Sequence, residues 1–315
     1  MMHSESAGKK RVIALGFFDG IHIGHAALLR KVQEISAGGS ITPSVITFDI
    51  HPQNLLFGES VSLINSPEDR AGLIKRLFGF DDILFLHFDR ETAGMTWDIF
   101  IDRIVDQFNA SHLVAGYDFR FGSGGKGDSG LLEQKCAELG KGCDIIPEIT
   151  HDGVVCSSTY IRELISAGDI ERANTFLGHP HVLTDFVRDG YRLGRTLGAP
   201  TINMCFPEGV LAPAYGVYAT RAFLTADNCA DTHGALSGGH IGVTNIGVKP
   251  TVVDSGQITA ETHILNYQGN LYGHQVRIEF HKRLRPEIKF DDIDKLKTQI
   301  QNDCGAAMQY FKKAL

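Results

Sequence analysis

Two patterns of apolar positions divide the chain. From residue 11 to about 150, short apolar runs alternate with segments whose apolar residues recur at i, i+3, i+4 and i+7. The runs predict strands at 12–16, 44–48, 83–88, 112–116 and 144–149. The segments between them predict helices at 24–35, 68–78, 96–108 and 130–139. This alternation indicates a parallel sheet with helices on both faces, in which ligands bind beyond the carboxyl ends of the strands.

Beyond about residue 180, apolar and polar residues alternate with a period of two. This pattern predicts strands at 215–223, 240–244, 261–266 and 275–281, separated by glycine-containing turns. Such strands are typical of a small antiparallel barrel or sandwich. A terminal helix is predicted from 291 to about 301, continuing over 305–312. We therefore expect two domains, 1–180 and 181–315, joined by a short hinge at 178–180.

Composition and charge agree with two folded domains and narrow the classes of ligand. The chain has 315 residues, 43% of them hydrophobic, and 30 basic against 37 acidic residues, a net charge of −7. Residues 1–180 hold 16 basic and 24 acidic residues, and the remainder holds 14 and 13. A broad basic face for nucleic acid is therefore not expected. A phosphorylated ligand would have to find its positive charge in a local site.

The cysteines and the first residues predict a cytoplasmic protein. The six cysteines form no C-x-x-C pair and have no zinc-site spacing with histidine, so we expect free thiols in a reducing compartment. Residues 1–11 are polar and lack the apolar core of a signal peptide. No apolar run approaches the ~20 residues of a membrane-spanning helix, so no membrane partner is expected.

A glycine-containing loop with two histidines follows the first predicted strand. It reads Gly16-Phe17-Phe18-Asp19-Gly20-Ile21-His22-Ile23-Gly24-His25. Glycines allow a tight turn against a ligand, and the helix that follows offers free N–H groups to an anion. Because no P-loop lysine is present, the loop favours phosphate binding in nucleotidyl transfer over transfer of a γ-phosphoryl group. The alternative is two ordinary histidines at the start of a helix.

A second phosphate-binding pattern lies near the end of the first domain. The run Cys156-Ser157-Ser158-Thr159-Tyr160-Ile161-Arg162 places hydroxyls at a helix N-terminus, with an arginine on the first turn. A simple capping motif with a solvated arginine is the alternative for this run alone. Two such patterns in one domain of alternating strands and helices favour a nucleotide site.

A run rich in glycine and arginine opens the second domain. It reads Gly190-Tyr191-Arg192-Leu193-Gly194-Arg195-Thr196-Leu197-Gly198-Ala199-Pro200-Thr201-Ile202-Asn203. Residues two apart on a strand share a face, so the side-chain oxygens of Thr201 and Asn203 can meet one hard cation carrying nucleotide phosphates. Mg²⁺ prefers such ligands. The alternative is a glycine-rich hairpin turn followed by a strand.

Together these runs resemble the nucleotidyltransferase superfamily, with its H-x-G-H motif and downstream S-[ST]-x-x-[RK]-like segment. More narrowly, the chain is similar to the bacterial bifunctional riboflavin kinase/FMN adenylyltransferases, also called FAD synthetases. Further stretches that carry the resemblance are Thr47-Phe48-Asp49-Ile50-His51-Pro52, Gly116-Tyr117-Asp118-Phe119-Arg120-Phe121-Gly122, Asn245-Ile246-Gly247-Val248 and Glu261-Thr262-His263-Ile264-Leu265. The resemblance implies a Rossmann-like α/β nucleotidyltransferase domain followed by a small riboflavin kinase-like β-barrel with a terminal helix.

For the first domain, the resemblance implies transfer of AMP from ATP to FMN, which yields FAD and pyrophosphate. His22 and His25 would be the catalytic residues that bind and polarise the ATP phosphates. The other residues expected to bind ATP are Gly16, Phe17, Phe18, Asp19, Gly20, Ser158, Thr159 and Arg162. Asp118, Phe119 and Phe121 would shape the flavin pocket, although two phenylalanines in a loop are also common packing residues.

For the second domain, it implies transfer of the γ-phosphoryl group of ATP to the ribityl 5′-hydroxyl of riboflavin. Glu261 would be the catalytic base, unless it is a solvated carboxylate at a strand end. Arg285 would contact the flavin or, alternatively, belong to a solvated face that anchors the terminal helix. Thr201 and Asn203 would hold Mg²⁺ with ATP. The other residues expected to bind ATP are Gly190, Gly194, Arg195, Gly198 and Pro200.

The chain departs from the usual family residues at Phe17, Ile50, Asp185, Ala199 and Lys249. Two other interpretations remain: an enzyme that retains only one activity, and a non-enzymatic flavin-binding sensor or carrier. A catalytic base argues against the second, since a pure binder does not need one. The expected partners are the small molecules riboflavin, FMN and ATP, with no nucleic acid, and the chain is expected to be a monomer or weak homo-oligomer.

Overall fold

The computed structural model describes residues 8–58, 60–188, 200–225, 238–248 and 257–313. The chain divides into two compact units, Met1–Ser158 and Thr159–Leu315. This division lies before the boundary near residue 180 that the sequence predicts, and the limits of the two functional domains stay a prediction.

The first unit is built on a five-stranded parallel sheet. Its strands are β1 (Arg11–Leu15), β2 (Thr42–Phe48), β3 (Asp82–Leu86), β4 (Ala110–Gly116) and β5 (Gly142–Ile146), in the order β3-β2-β1-β4-β5. All five predicted strands are present, and the predicted parallel sheet is confirmed. Every residue of the central strand β1 is buried, because helices cover both faces of such a sheet.

In the described part of this unit, six α-helices and one small hairpin accompany the sheet. They are α1 (Ile23–Ser36), α2 (Pro52–Phe57), α3 (Pro67–Phe78), α4 (Arg90–Gly94), α5 (Trp97–Gln107) and α6 (Ser129–Glu138), with the hairpin β6 (Thr150–His151) and β7 (Val154–Val155). The four predicted helices are confirmed. The two short ones, α2 and α4, were not predicted, because one to two turns are too short to show a helical period. Side-chain caps begin both: Nδ1 of His51 accepts from the Gln53 N–H, and Asp89 accepts from the Thr92 N–H.

The second unit is built on an antiparallel sheet, of which the described residues form six strands. They are β8 (His181–Phe186), β9 (Thr201–Cys205), β10 (Gly216–Leu224), β11 (His240–Val248), β12 (Ile258–Ile264) and β13 (Gln275–Pro286), in the order β8-β13-β10-β11-β12-β9. A bridge between Arg188 and Asn203, with a backbone hydrogen bond of 2.9 Å, joins the two edges. The predicted small antiparallel barrel is therefore confirmed.

The described part of this unit begins and ends with helices. The first two are α7 (Ser158–Ala167), whose first residue belongs to the other unit, and α8 (Ile170–Leu177). The side chain of Asn174 on α8 donates to the Phe280 carbonyl and accepts from the His181 N–H, both at 2.8 Å. Strand β8 was not predicted, since its first three residues are all buried and show no alternation.

One long helix, α9 (Ile293–Lys313), ends the described chain, and it confirms the predicted terminal helix from 291 to about 301 that continues over 305–312. Gly305 lies inside it and does not interrupt it. Ala307 and Phe311 pack against Val217, Ala219 and other apolar residues of the sheet, so tertiary packing holds the helix through the glycine. Among the described residues, no helix is long and apolar enough to cross a membrane.

Candidate active sites

The first candidate site lies where the parallel sheet changes direction. Strands β2 and β3 lie on one side of β1, and the next strand, β4, lies on its other side. Ligands of such sheets bind at this point, beyond the carboxyl ends of the strands. The loop 16–22 follows β1 and the loop 117–122 follows β4, so the structure places both predicted loops at this edge of the sheet.

The loop 16–22 has an unusual backbone. Phe18, Gly20 and Ile21 all have positive φ, at 55°, 82° and 45°. Positive φ is rare for a β-branched residue, so this conformation needs support from its surroundings. The carboxylate of Asp19 supplies part of it, since it accepts from the N–H of Ile64 at 2.9 Å and of Asn65 at 3.3 Å.

Ser158 supports the same loop, because its hydroxyl donates to the main-chain carbonyl of Asp19 at 2.9 Å. Asp19 itself is buried, so its carboxylate serves the loop's conformation rather than an exposed ligand surface. The sequence predicts that both Asp19 and Ser158 bind ATP. Their contacts in the structure also give them a role in fixing the shape of the site.

The two histidines lie against each other at the start of α1. Nδ1 of His22 accepts from the His25 N–H at 3.2 Å and so caps the helix. The two rings stack with centroids 3.6 Å apart and planes inclined by 17°. A Cβ atom at Gly24 would lie 3.1 Å from the His22 ring, so the glycine between them makes room for the stack. Because Nδ1 of His22 accepts, its Nε2 is the nitrogen that can donate to a ligand.

His25 is held in its neutral form before any ligand binds. Burial of the ring, then the neighbouring His22, then the charge of Arg70 set its pKa well below the usual value. Its Nδ1 atom is buried and has no hydrogen-bond partner among the described residues. A neutral imidazole with an unused nitrogen can take up a further hydrogen bond when a ligand arrives.

Thr159 lies in the first turn of α7 and Arg162 follows at the start of the second turn, both in the second compact unit. Their position at a helix start agrees with the phosphate-binding pattern in the sequence, and their role toward ATP stays a prediction.

The predicted flavin loop contains one exposed carboxylate and two stacked phenylalanines. Asp118 is exposed, and the rings of Phe119 and Phe121 stack with centroids 5.3 Å apart. Phe121 is buried against Phe100 at 5.8 Å and belongs to the core of the unit. Phe121 is therefore a packing residue that supports Phe119, and of the three predicted residues Asp118 and Phe119 offer surface to a ligand.

The second candidate site is assembled by strand register. Glu261 of β12 lies opposite Asn203 of β9 on one side and opposite Asn245 of β11 on the other. His263 lies opposite Thr201 on the same face, because side chains two apart on a strand point the same way. These polar side chains come from three different strands.

A cavity of about 220 Å³ opens at this row of side chains. Thr201, Glu261 and Arg285, which the sequence singles out, line it. So do residues that it does not: Asn245, His263, Glu287 and Asp303, with an apolar wall that includes Phe290, Leu296 and Ile300. The sequence could have indicated His263, because it lies two residues after Glu261. It could not have indicated Leu296 and Ile300 of α9, because only tertiary packing brings that helix to the cavity.

Arg285 is held by a carboxylate of the terminal helix. Its Nε lies 3.1 Å and its NH2 2.8 Å from Asp303, which also accepts from Gln299 at 2.8 Å. Its NH1 donates to the Pro286 carbonyl at 3.0 Å. Arg285 thus joins α9 to β13 at the cavity wall. This agrees with the alternative interpretation, in which Arg285 anchors the terminal helix. Its contact with the flavin stays a prediction.

Several predicted residues of the second domain fall outside the described part of the chain. These are Gly190, Gly194, Arg195, Gly198, Ala199 and Lys249. Pro200 is described and exposed, and its carbonyl lies 2.9 Å from Nδ1 of His263.

Comparison with known proteins assigns the chain to a family. Residues 4–160 match the family model described as FAD synthetase, and residues 177–311 match the model described as riboflavin kinase. The bifunctional riboflavin kinase/FMN adenylyltransferase of Bacillus subtilis (strain 168) is 34% identical over 307 residues, covering 96% of this chain and 93% of that protein. The chain belongs to this bifunctional family. The Escherichia coli (strain K12) member is 33% identical over 306 residues, covering 95% and 92%.

A solved structure shares the fold along nearly the whole chain. The crystal structure of a protein from Streptococcus pneumoniae, described as a macrolide-efflux protein, matches with a TM-score of 0.81 and 27% identity, covering 96% of this chain and 94% of that one.

As a family member, the chain is an enzyme of flavin biosynthesis, a riboflavin kinase and FMN adenylyltransferase that uses ATP as co-substrate. Its other substrates are riboflavin and FMN. The predicted family, fold class and function are confirmed.

Proposed function

We propose that adenylyl transfer takes place at the loop 16–22 and that phosphorylation of riboflavin takes place in the cavity beside Glu261. The observation that carries this assignment is that each compact unit has its own constellation. One is a stacked histidine pair at the direction change of a parallel sheet, and the other is Glu261 opposite Asn203 in an antiparallel sheet. In the first, the carboxylate of Asp19 is bound to backbone N–H groups, whereas in the second Glu261 lines the cavity, where it can accept a proton from a hydroxyl.

In the adenylyl transfer, a phosphate oxygen of FMN attacks the α-phosphorus of ATP. A new P–O bond forms as the bond to the oxygen bridging α- and β-phosphorus breaks, and pyrophosphate leaves. Nε2 of His22 and the imidazole of His25 would donate to the oxygens on which charge develops. Ser158 would help to hold the triphosphate, and its hydroxyl also donates to the Asp19 carbonyl of the loop. The resemblance implies that Thr159 and Arg162 bind the triphosphate as well.

In the phosphorylation, Glu261 would accept the proton of the riboflavin 5′-hydroxyl. The hydroxyl oxygen then bonds to the γ-phosphorus of ATP as the bond to the β,γ-bridging oxygen breaks, and ADP leaves. Phe290, Leu296 and Ile300 supply an apolar wall that suits a flavin ring. Asn245, across from Glu261, is placed to keep that carboxylate oriented.

The second site fits a magnesium ion. Thr201 and Asn203 share one face of β9 and offer a hydroxyl and an amide oxygen, the hard ligands that Mg²⁺ takes together with water and phosphate. When bound, Mg²⁺ would neutralise charge on the ATP phosphates. Thr201 also lines the cavity that contains Glu261, so ligand and base are on the same side of the sheet.

The remaining sequence expectations are part of the same proposal: a cytoplasmic enzyme, monomeric or weakly self-associating, without nucleic-acid or membrane partners. Net charge of −7 supports the absence of a nucleic-acid partner. Five of the six cysteines lie in the described residues and all five are free thiols, which supports a reducing compartment.

The direct test incubates the full chain with riboflavin, ATP and Mg²⁺ and separates FMN from FAD by chromatography. FMN should appear first and FAD should follow from it. A parallel reaction with a chelator in place of Mg²⁺ should form neither. FMN formation at an unchanged rate with chelator would contradict the metal-binding role of Thr201 and Asn203.

A further inference from the structure

A buried arginine lies behind the histidine loop. Arg70 of α3 is 0% exposed and is among the largest fully buried side chains of the chain. Its NH1 donates to Oγ1 of Thr47 at 3.0 Å and to the Phe48 carbonyl at 2.8 Å, at the carboxyl end of β2. Its Nε and NH2 atoms have no hydrogen-bond partner among the described residues. A buried cation with unused donors is costly, which marks this position as one where function outweighs stability.

Two contacts connect Arg70 to the loop 16–22. Oγ1 of Thr47, which accepts from Arg70, in turn donates to the Phe17 carbonyl at 2.7 Å. The guanidinium carbon also lies 4.4 Å from the centre of the Phe17 ring, a cation–π distance. Arg70 therefore holds Phe17 both by its main chain and by its ring. Phe17 immediately precedes the residues of positive φ that lead to His22.

The Phe17 ring has the guanidinium of Arg70 as one neighbour. Its other neighbour is His51, whose ring meets it edge-on at 4.9 Å. Phe17 thus lies between Arg70 and His51 and joins the end of β2 to the end of β1. Such a contact fixes the first residues of a strained loop that could not keep its shape alone.

Arg70 also places a positive charge in a unit whose net charge is negative. The part of the chain before residue 180 has eight more acidic than basic residues, so a triphosphate cannot rely on the general field. The charge of Arg70 acts on His25, and the only other charged or titratable group that affects the pKa of His25 among the described residues is His22. Arg70 itself feels the carboxylates of Asp19, Asp49 and Glu68.

We propose that Arg70 is a positioning residue of adenylyl transfer: it acts through Phe17 and His25, fixing the loop 16–22 and placing a positive charge behind the phosphate-binding imidazoles. This inference rests on the proposed function of that loop. Arg70 does not touch the substrate, because it is fully buried.

The test compares Arg70→Gln with Arg76→Gln in the full chain, since Arg76 is an exposed arginine of the same helix. R70Q should lower kcat/KM for ATP in FAD formation by about 10- to 100-fold, the size of effect that a misplaced loop produces. R76Q should leave it unchanged. Equal rates for R70Q and R76Q would overturn the proposal.

The pH profile of kcat/KM for ATP separates this role from a structural one. Without the positive charge of Arg70, the pKa of His25 rises. The acidic limb of the profile, which His25 governs, should therefore move to higher pH in R70Q. Arg70→Lys keeps the charge and should leave the limb in place while it still loses rate, because an ammonium lacks the planar fork and its stacking on Phe17. A limb that does not move in R70Q would overturn the proposed action on His25.

A second variant keeps the test decisive if R70Q does not fold. Thr47→Val preserves the charge of Arg70 and the shape of the side chain but breaks the hydroxyl link to the Phe17 carbonyl. It should lower kcat/KM for ATP with an unmoved limb, and an unchanged rate would overturn the proposed action on the loop. Failure of the proposed site would look different, because His25→Ala would then form FAD at the rate of the unaltered chain.

Discussion

The two candidate sites are assembled in different ways. In the first unit, the histidines are three residues apart and meet because a loop and a helix N-terminus bring them together locally. In the second unit, Asn203, Asn245 and Glu261 lie on separate strands and meet only through the register of an antiparallel sheet. One site therefore depends on a strained loop conformation, and the other on the correct pairing of strands.

This difference predicts how each site can fail. The loop 16–22 has positive φ at three positions and is held by contacts such as those of Asp19. Loss of one such contact should therefore reduce adenylyl transfer before the sheet unfolds. The second site has its polar residues on regular strands, and a shift of register by one residue would turn all of them to the opposite face. Its activity should therefore persist until the barrel itself unfolds.

The strongest test of the second site is Glu261→Gln. Loss of a positioned base should lower the rate of FMN formation from riboflavin by about 10²–10⁴-fold. FAD formation from added FMN should continue at its original rate, because Glu261 belongs to the other constellation. Chromatography of the two products gives both rates. Glu208→Gln, at an exposed turn, is the control, and an unchanged FMN rate in E261Q would remove Glu261 from the role of base.

The corresponding test of the first site is His25→Ala. Removal of a donor to developing charge should lower FAD formation from FMN by about 10²–10³-fold. With riboflavin as substrate, FMN should then accumulate instead of FAD. His151→Ala, at an exposed hairpin position of the same unit, should change neither rate. An equal loss of both activities would contradict the assignment of the two reactions to separate units.

Two fragments test where the kinase domain begins. Fragment 159–315 contains α8, whose Asn174 is hydrogen-bonded to Phe280 and His181, whereas fragment 181–315 lacks it. We expect 159–315 to fold and phosphorylate riboflavin. The shorter fragment should unfold at a lower temperature, because it exposes the apolar face of α8's docking site and two broken hydrogen bonds. Equal stability and activity would favour the boundary near residue 180.

A buried histidine of the barrel gives the smallest expected effect. Burial lowers the pKa of His181 to about 3, and both ring nitrogens lack hydrogen-bond partners among the described residues. The unfolded chain therefore binds a proton there between about pH 6.5 and pH 3 that the folded chain does not. The free energy of unfolding should fall on acidification in this window, by at most ~1.4 kcal/mol per pH unit from this group.

His181→Phe removes this contribution and should flatten the dependence, measured by denaturant unfolding at several pH values. His274→Phe, a half-buried histidine of the same unit, is the comparison. The same slope in H181F and the unaltered chain would exclude His181 as the source. Unlike His25, which is neutral beside a ligand site, His181 is neutral in a core next to Phe280.

Hydrophobic periodicity was sufficient for the long elements and failed for particular short ones. It found the five strands of the parallel sheet and the four longer helices, because each is long enough for its apolar residues to show a strand-like run or a helical period. It missed α2 and α4, which depend on caps at His51 and Asp89, and it missed β8, whose first residues are buried on both faces. It also found α9, which continues through Gly305 because packing against the barrel outweighs the low helix propensity of glycine.

The amino-acid sequence by itself determined the two classes of domain, the histidine pair and the resemblance that assigns both reactions, because those signals are carried by residues close together in the chain. Only the tertiary structure showed Asp303 holding Arg285, Asn245 beside Glu261, and Arg70 behind Phe17. These contacts join residues on different secondary-structure elements, 16 to 53 positions apart. Strand register and helix docking place them, and neither has a local pattern that a sequence displays.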